Sequence, residues 1–205
     1  MKATVLVGTA ENETSIFTWT LNSFLEQKGY SVKTYYLSDM KIPPCGGEFD
    51  CWLKTPGICK MPGPHREIAA SIIQSDLLVG LTPVTWGGYS YDLKKAMDHT
   101  IPLVSPLMES SHGLTYHVPR YRHYPDYLAI GILEKPDNNL EHIFETLIKR
   151  VVLNYYADHY DTRFIYRDAI SAITSASLES WFPLRHSSGE KTLTHVDIDV
   201  TPPSR

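Results

Sequence analysis

The chain has 205 residues, with 19 Lys and Arg against 23 Asp and Glu, and a formal net charge of −4. This length suits one domain with a sizeable core, and the slight acidic excess argues against a nucleic-acid-binding surface. The opening residues, MKATVLVGTAE, turn polar after one short apolar run, unlike a signal peptide or a membrane span. An odd number of cysteines, three, argues against a disulfide framework. We therefore expect a cytoplasmic protein that binds neither nucleic acid nor a membrane.

Short apolar runs alternate with amphipathic stretches along the chain. The first predicted helix ends at Gly29, where a C-cap glycine belongs, and Ile16 and Trp19 lie on its predicted apolar stripe. The patterns predict strands over 3–8, 30–37, 76–83, 127–133 and 162–170, and helices over 15–29, 65–75, 90–101 and 139–159. Strands alternating with helices predict an α/β fold: a flavodoxin-like, doubly wound, five-stranded parallel sheet of order 2-1-3-4-5 with helices on both faces.

Three segments lie outside this alternation. Residues 38–64 form a loop rich in Cys and Pro, residues 102–126 form an insertion rich in Tyr, His and Arg, and residues from about 171 to 205 form a C-terminal extension. A long aperiodic segment in a compact domain is usually functional, so we expect 102–126 to be a lid or a subunit interface. Residues 1–205 are nevertheless expected to form a single domain.

The loop after the first strand, GTAENETS, precedes a helix and carries hydroxyl and amide groups at Thr9, Asn12, Thr14 and Ser15. A helix N-terminus with such groups around it can bind a phosphate. Thr14 or Ser15 could instead simply cap the helix, because capping uses the same residue types. Glu11 and Glu13 count against anion binding, since they bring negative charge to the same place.

The loop after the third strand is the most informative stretch. In a sheet of this order, ligands bind at the carboxyl ends of the first and third strands. A proline and two glycines let the main chain approach a flat ligand, and Trp86 and Tyr89 could lie beside it. The alternative is an ordinary strand-to-helix turn whose aromatic side chains fill the core.

The stretch TPVTWGGYSYDLKKAMDH resembles the flavin-ring loop of the NAD(P)H-dependent FMN reductase family, in its iron–sulfur flavoprotein-like branch. Thr85 and His99 depart from the family pattern, which usually has Tyr and Arg at these positions. The matching residues are Pro83, Trp86, Gly87, Leu93, Lys94 and Asp98. PPCGGEFDCW and PGICK resemble the cysteine loop of that family, and with VLVGTAENETS the resemblance covers residues 3 to 100.

The resemblance implies an FMN cofactor with NAD(P)H as electron donor. It implies that the main chain of Pro83, Val84, Thr85, Trp86, Gly87 and Gly88 holds the flavin ring, and that Thr9, Asn12, Thr14 and Ser15 hold the phosphate. The phosphate loop of that family usually carries Ser-x-Arg, whereas this chain has Glu11 instead of a basic residue. No side chain need act as acid or base, because the redox chemistry belongs to the cofactor. We therefore predict no catalytic side chain.

Two functions follow from these observations. The first is an oxidoreductase that passes hydride from NAD(P)H to FMN and on to a quinone, a flavin, a metal complex or a protein. The second is a non-enzymatic flavodoxin-like electron carrier or binding module, with or without FMN. Glu11 and Glu13 favour this alternative. Members of the resembled family are usually homodimers or tetramers, so we expect a homo-oligomer.

All three cysteines, Cys45, Cys51 and Cys59, lie in one loop. The iron–sulfur members of the resembled family have a Cys-x-x-Cys-x-x-Cys pattern and a fourth Cys, and Glu48 stands here where the second thiolate would be. A carboxylate is a poor substitute for a cluster thiolate, so we expect no iron–sulfur cluster. Zinc bound by the three thiolates and Glu48 stays an alternative.

Other residue clusters suggest further alternatives. The spacing of His112, His117 and His123 matches no common zinc pattern, so no metal site is predicted there either. Arg120 and Arg122, next to several tyrosines, could bind an anionic or planar substrate or form a dimer contact.

Overall fold

The computed structural model describes residues 1–111, 113–184 and 186–187. The strands are β1 Lys2–Val7, β2 Ser31–Tyr36, β3 Leu77–Pro83, β4 Val104–Ser111, β5 Leu114–Pro119, β6 Asp126–Leu133, β7 His159–Tyr166 and β8 His186–Ser187. The α-helices are α1 Glu11–Gln27, α2 Asp50–Leu53, α3 His65–Ile73, α4 Tyr91–Asp98, α5 Asn138–Tyr155 and α6 Ser175–Glu179. Within these described ranges, no helix is long and apolar enough to cross a bilayer.

The main sheet has the strand order β2-β1-β3-β6-β7-β8. Its first five strands pair in parallel, and the two-residue β8 pairs antiparallel to β7 at the edge. Numbered along the chain, the parallel strands follow the order 2-1-3-4-5, which confirms the predicted flavodoxin-like fold. The short antiparallel edge strand was not predicted.

The core lies on both faces of this sheet. On one face, α1 and α6 cover alternate residues of the central strands, including Val5, Val79 and Ile130. On the other face, α3, α4 and α5 cover the residues between them, such as Leu6 and Leu78. Every residue of β3 except its last is buried, as expected of a central parallel strand with helices on both sides.

The first helix differs from its prediction. It begins at Glu11, so that Asn12, Thr14 and Ser15 lie inside it, and its N-cap is Ala10 with no side-chain cap. The alternative that Thr14 or Ser15 caps the helix is therefore wrong. The predicted stripe is also wrong, because Ile16 and Trp19 are 62% and 70% exposed. The sheet covers the opposite face of the helix: Thr14, Phe17, Thr18, Leu21, Phe24 and Leu25.

Two further differences affect the site. The segment predicted to be aperiodic contains an antiparallel hairpin of β4 and β5, with a register shift between Val104 and Met108. The last parallel strand starts at His159 and ends at Tyr166, so Arg167 begins a 3₁₀ helix instead of lying inside the strand. His112 and much of the predicted C-terminal extension lie outside the described residues.

Candidate functional site

The loops after β1 and β3 meet at the carboxyl edge of the sheet and are tied together by the main chain. The Gly8 N–H donates to the carbonyl oxygen of Leu81 at 2.7 Å, and the Ser90 hydroxyl donates to the carbonyl oxygen of Gly8 at 2.6 Å. The Ser90 N–H in turn donates to Thr82 Oγ1 at 2.9 Å. A Cβ atom on Gly8 would lie 2.7 Å from Ser90 Oγ and 2.8 Å from Leu93 Cβ, so glycine is what permits this approach.

The segment from Thr85 to Gly88 is a two-residue hairpin turn. The N–H and carbonyl groups of Thr85 and Gly88 pair with each other at 2.9 Å in both directions. The central residues, Trp86 and Gly87, have φ angles of +53° and +78°, as a type I′ turn requires. A Cβ atom on Gly87 would lie 2.4 Å from Cγ2 of Ile143, so α5 packs directly against the turn.

The two aromatic residues of this loop have different surroundings. Trp86, at the tip of the turn, is 95% exposed, so the alternative that it fills the core is wrong. Tyr89 packs edge-on against Phe144, and its hydroxyl forms a 3.0 Å hydrogen bond with that of Tyr127. For Tyr89, the alternative that the side chain fills the core is therefore correct. The sequence alone did not distinguish Tyr89 from Trp86.

Hydrogen bonds inside the turn limit which main-chain groups can meet a ligand. The Val84 N–H donates to the carbonyl oxygen of Ile132 at 2.9 Å, and those of Thr85 and Gly88 are paired across the turn. Pro83 has no N–H group. In a two-residue turn the central residues take no part in the pairing, so the N–H groups of Trp86 and Gly87 are the donors at the tip.

The predicted phosphate residues have different environments. The Thr9 hydroxyl donates to Glu13 Oε2 at 2.7 Å. Thr14 is buried on the inner face of α1, where it accepts a hydrogen bond from Thr18, while Asn12 and Ser15 are exposed. The Glu13 N–H donates to the carbonyl oxygen of Ala10 at 3.1 Å, but no side chain caps α1, so the N–H groups of Glu11 and Asn12 stay available to an anion.

An arginine from the other end of the chain reaches this loop. Arg167 lies 3.3 Å from Glu13 Oε2 and 2.6 Å from Glu134 Oε1, at the carboxyl ends of β7 and β6. The hydrogen bond from Thr9, followed by the contact with Arg167, lowers the pKa of Glu13, which is therefore ionised at neutral pH. Arg167 was not among the predicted site residues, because the sequence pattern predicts a strand over 162–170 that contains it. A strand ending at Tyr166 would have put it at the ligand edge of the sheet.

The cysteine segment packs away from the turn. Trp52 donates from Nε1 to the carbonyl oxygens of Ile101 at 3.1 Å and Val104 at 3.0 Å, and its ring stacks on Phe49. Asp50 forms ion pairs with Lys60 at 2.7 Å and Lys54 at 3.1 Å. The Trp52 contacts hold the segment against the chain that follows α4, and the Asp50 ion pairs stabilise the segment itself.

The three cysteines do not share one environment. Cys45 is exposed, whereas Cys51 and Cys59 are buried. Cys59 Sγ lies 3.7 Å from Nδ1 of His99, and the ring of His99 stacks on that of His65 with centroids 3.9 Å apart. Burial raises the pKa of the Cys59 thiol and lowers the pKa of His65, so both are uncharged at neutral pH.

The other candidate ligands lie elsewhere. His117, in β5, packs against Trp52 with ring centroids 5.0 Å apart, and His123 is exposed. Arg120 donates from Nε to the carbonyl oxygen of Pro102 at 2.9 Å, so it holds the hairpin segment to the chain after α4.

The model of the NADPH-dependent FMN reductase family matches residues 1–113, which include both edge loops and the cysteine segment. The chain belongs to this family. It is accordingly an NAD(P)H-dependent oxidoreductase that uses FMN. No curated protein matches the chain.

Solved structures of low sequence identity share the fold. An NAD(P)H:quinone oxidoreductase from Methanothermobacter marburgensis is 14% identical, with 86% of this chain and 92% of that one covered and a TM-score of 0.62. A putative quinone reductase from Klebsiella pneumoniae is 12% identical, with 90% and 86% covered and a TM-score of 0.62. An FMN-dependent NADH-azoreductase from Bacillus anthracis, solved in complex with FMN, is 13% identical, with 88% and 97% covered and a TM-score of 0.56.

Proposed function

We propose that this reductase holds FMN at the carboxyl edge of its sheet and delivers electrons to a small planar acceptor of the quinone class in the cytoplasm. The observation that carries the proposal is the pair of tied loops at the switch point, with Trp86 fully exposed beside them. When bound, FMN supplies the isoalloxazine that takes hydride from the nicotinamide and passes it on. Two solved structures of the same fold are described as quinone reductases, which is consistent with this acceptor class.

The residues at this edge suit the parts of FMN. Thr85 and Gly88 close the turn, and the tip N–H groups of Trp86 and Gly87 are donors of the kind that the carbonyl-rich end of the ring accepts. The uncapped N-terminus of α1 suits the phosphate, with the hydroxyl of Thr9 beside it. Of the phosphate residues implied by the resemblance, we keep Thr9, Asn12 and Ser15 in the proposal, because Thr14 faces the core.

The acidic residues at the phosphate end are partly compensated. Arg167 contacts Glu13 and Glu134, so its guanidinium offsets part of the negative charge of Glu13. Because Arg167 contacts Glu13, we expect the affinity for FMN to fall when Arg167 is removed.

The exposed indole has two uses in this proposal. Its flat face can stack against an incoming planar acceptor, because aromatic pairs gain beyond their area burial. Gly87, the next residue in the turn, packs against Ile143, which is itself 51% exposed, and exposed apolar side chains of this kind suit a contact with a second subunit. We propose a homodimer or tetramer in which this surface is covered, to be checked by light scattering of wild type and of Trp86→Ala.

Reconstitution and anaerobic reduction test the function. The purified protein is incubated with FMN and desalted, and its visible spectrum is recorded before and after anaerobic NADPH or NADH. We expect one flavin per chain, bleaching by reduced nicotinamide without any partner protein, and reoxidation by a soluble benzoquinone faster than by free riboflavin or ferric citrate. A colourless protein would contradict the proposed FMN site. A yellow protein that nicotinamide does not bleach would favour the electron-carrier alternative.

A further inference from the structure

A second cluster of chemically active side chains lies in the cysteine segment and its neighbours. Cys59, His65 and His99 are 8%, 1% and 2% exposed, and each offers a ligand atom within 4.8 Å of the other two. Across the ranges the structure describes, no other three His, Cys, Asp or Glu side chains come together in this way. Residues 9–15 and 83–88, which belong to the proposed flavin site, are not part of the cluster or of the cavity beside it.

Main-chain carbonyl groups fix which ring nitrogen of each histidine carries the proton. Nε2 of His99 lies 2.8 Å from the carbonyl oxygen of Pro43, and Nε2 of His65 lies 3.0 Å from that of Met61. A carbonyl oxygen only accepts, so each Nε2 carries a hydrogen and each Nδ1 carries a lone pair. Metal-binding histidines are oriented by the same kind of outer hydrogen bond.

One lone pair already lies near the thiol, and the other is buried without a partner. Nδ1 of His99 faces Cys59 Sγ at 3.7 Å, close to the edge of about 3.5 Å for a tetrahedron with bonds of about 2.3 Å to sulfur and 2.0 Å to nitrogen. Nδ1 of His65 is buried with no hydrogen-bond partner in the described structure. A buried nitrogen without a partner is costly, and a cation at this point would satisfy it.

The cluster has room to rearrange around an ion. The two imidazole rings are stacked at 20°, so coordination of both Nδ1 atoms requires them to open outward. A cavity of about 650 Å³ adjoins all three side chains and also borders Ile58, Ala69 and Arg122. The cavity leaves one side of the cluster accessible.

We propose that Cys59, His65 and His99 form a zinc site with a fourth position that opens into this cavity. One thiolate and two imidazoles are ligands that Zn²⁺ prefers, and three protein ligands with one open position leave space for water or a small anion. The site differs from a cluster built on the cysteine loop, because only Cys59 of the three cysteines takes part. Its existence does not depend on FMN.

The wild-type protein gives the first test. Chelator-treated protein is titrated with Zn²⁺ against a competing chromophoric chelator, and the loaded protein is examined by zinc X-ray absorption. We expect one zinc per chain, with one sulfur at about 2.3 Å and two nitrogens at about 2.0 Å. Failure to bind zinc, or coordination without sulfur or with more than one sulfur, would overturn the proposal.

Matched variants give the second test. Cys59→Ser and His99→Asn should each weaken zinc binding more than about 100-fold, because even outer-shell changes cost about 10- to 100-fold. Cys45→Ser, in the same loop, and His123→Asn, at the mouth of the cavity, should change it less than about 3-fold, since neither is a ligand. Unchanged zinc affinity in Cys59→Ser would overturn the proposal. If that variant does not fold, the absorption spectrum of the wild type decides.

Discussion

The carboxyl edge of the sheet and the Cys59–His65–His99 cluster are built in opposite ways. At the edge, the main chain makes the contacts, glycines allow two loops to approach, and the most prominent side chain, Trp86, is exposed. In the cluster, three buried side chains meet, and main-chain carbonyls orient the two histidines. A main-chain site tolerates most side-chain changes except at its glycines, whereas a side-chain site depends on each residue type.

The largest effect is expected from Gly8→Ala. A methyl group there would clash with Ser90 and Leu93 and push the two edge loops apart. We expect FMN affinity to fall about 100-fold, equivalent to roughly 2.7 kcal/mol, as measured by fluorescence titration of the apoprotein. Gly46→Ala, in the cysteine segment, is the matched control, because the nearest atom to its new methyl group is the flexible end of Glu48 at 3.1 Å. Equal losses in both variants would contradict the main-chain account of the edge.

A second substitution separates backbone strain from packing. Gly87 and Gly113 have φ angles of +78° and +77°, but only Gly87 is packed closely, against Ile143. Alanine at either position costs roughly 1 kcal/mol in the left-handed region. We expect Gly87→Ala to lower FMN affinity about 30-fold and Gly113→Ala to leave it unchanged. A similar affinity for both would show that the turn does not hold the flavin.

Arg167→Gln tests the compensating charge at the phosphate end. Without the guanidinium, Glu13 faces the phosphate uncompensated, and FMN affinity should fall about 10-fold, more at low ionic strength than at high. The double variant Arg167→Gln with Glu13→Gln should recover most of this loss, because the carboxylate is gone as well. If the double variant binds FMN as weakly as the single variant, Arg167 acts through its contact with Glu134 or by stabilising the fold.

The smallest effect is expected from Tyr127→Phe, below the edge. It leaves the Tyr89 hydroxyl without its partner and should lower the free energy of unfolding by about 1 kcal/mol at pH 7, with FMN affinity unchanged. Burial raises the pKa of Tyr127 to about 12, so its contribution to stability is complete below pH 10 and is lost as the pH rises towards 12. Urea unfolding at pH 7 and above pH 10 measures both effects. Between these two pH values, the variant should lose less stability than the wild type. A parallel loss of FMN affinity would mean that side chains support the edge too.

The order of the parallel strands and the family followed from the sequence by itself. Runs such as 76–83 are apolar throughout because both faces of a central strand are buried, and this pattern is local. The hairpin of β4 and β5 has no such pattern, since residues such as Leu107 and Met108 are exposed on it. It was therefore not predicted.

Only the tertiary structure decided which side chains meet. Arg167 reaches Glu13 from more than 150 positions away, and His99 meets Cys59 from 40 positions away. No local periodicity encodes such pairs, because they depend on where each strand and helix ends. The face that α1 turns to the sheet was decided in the same way, by packing against strands distant in sequence. Local apolar patterns thus specify the layers of the fold, while contacts between distant segments specify its sites.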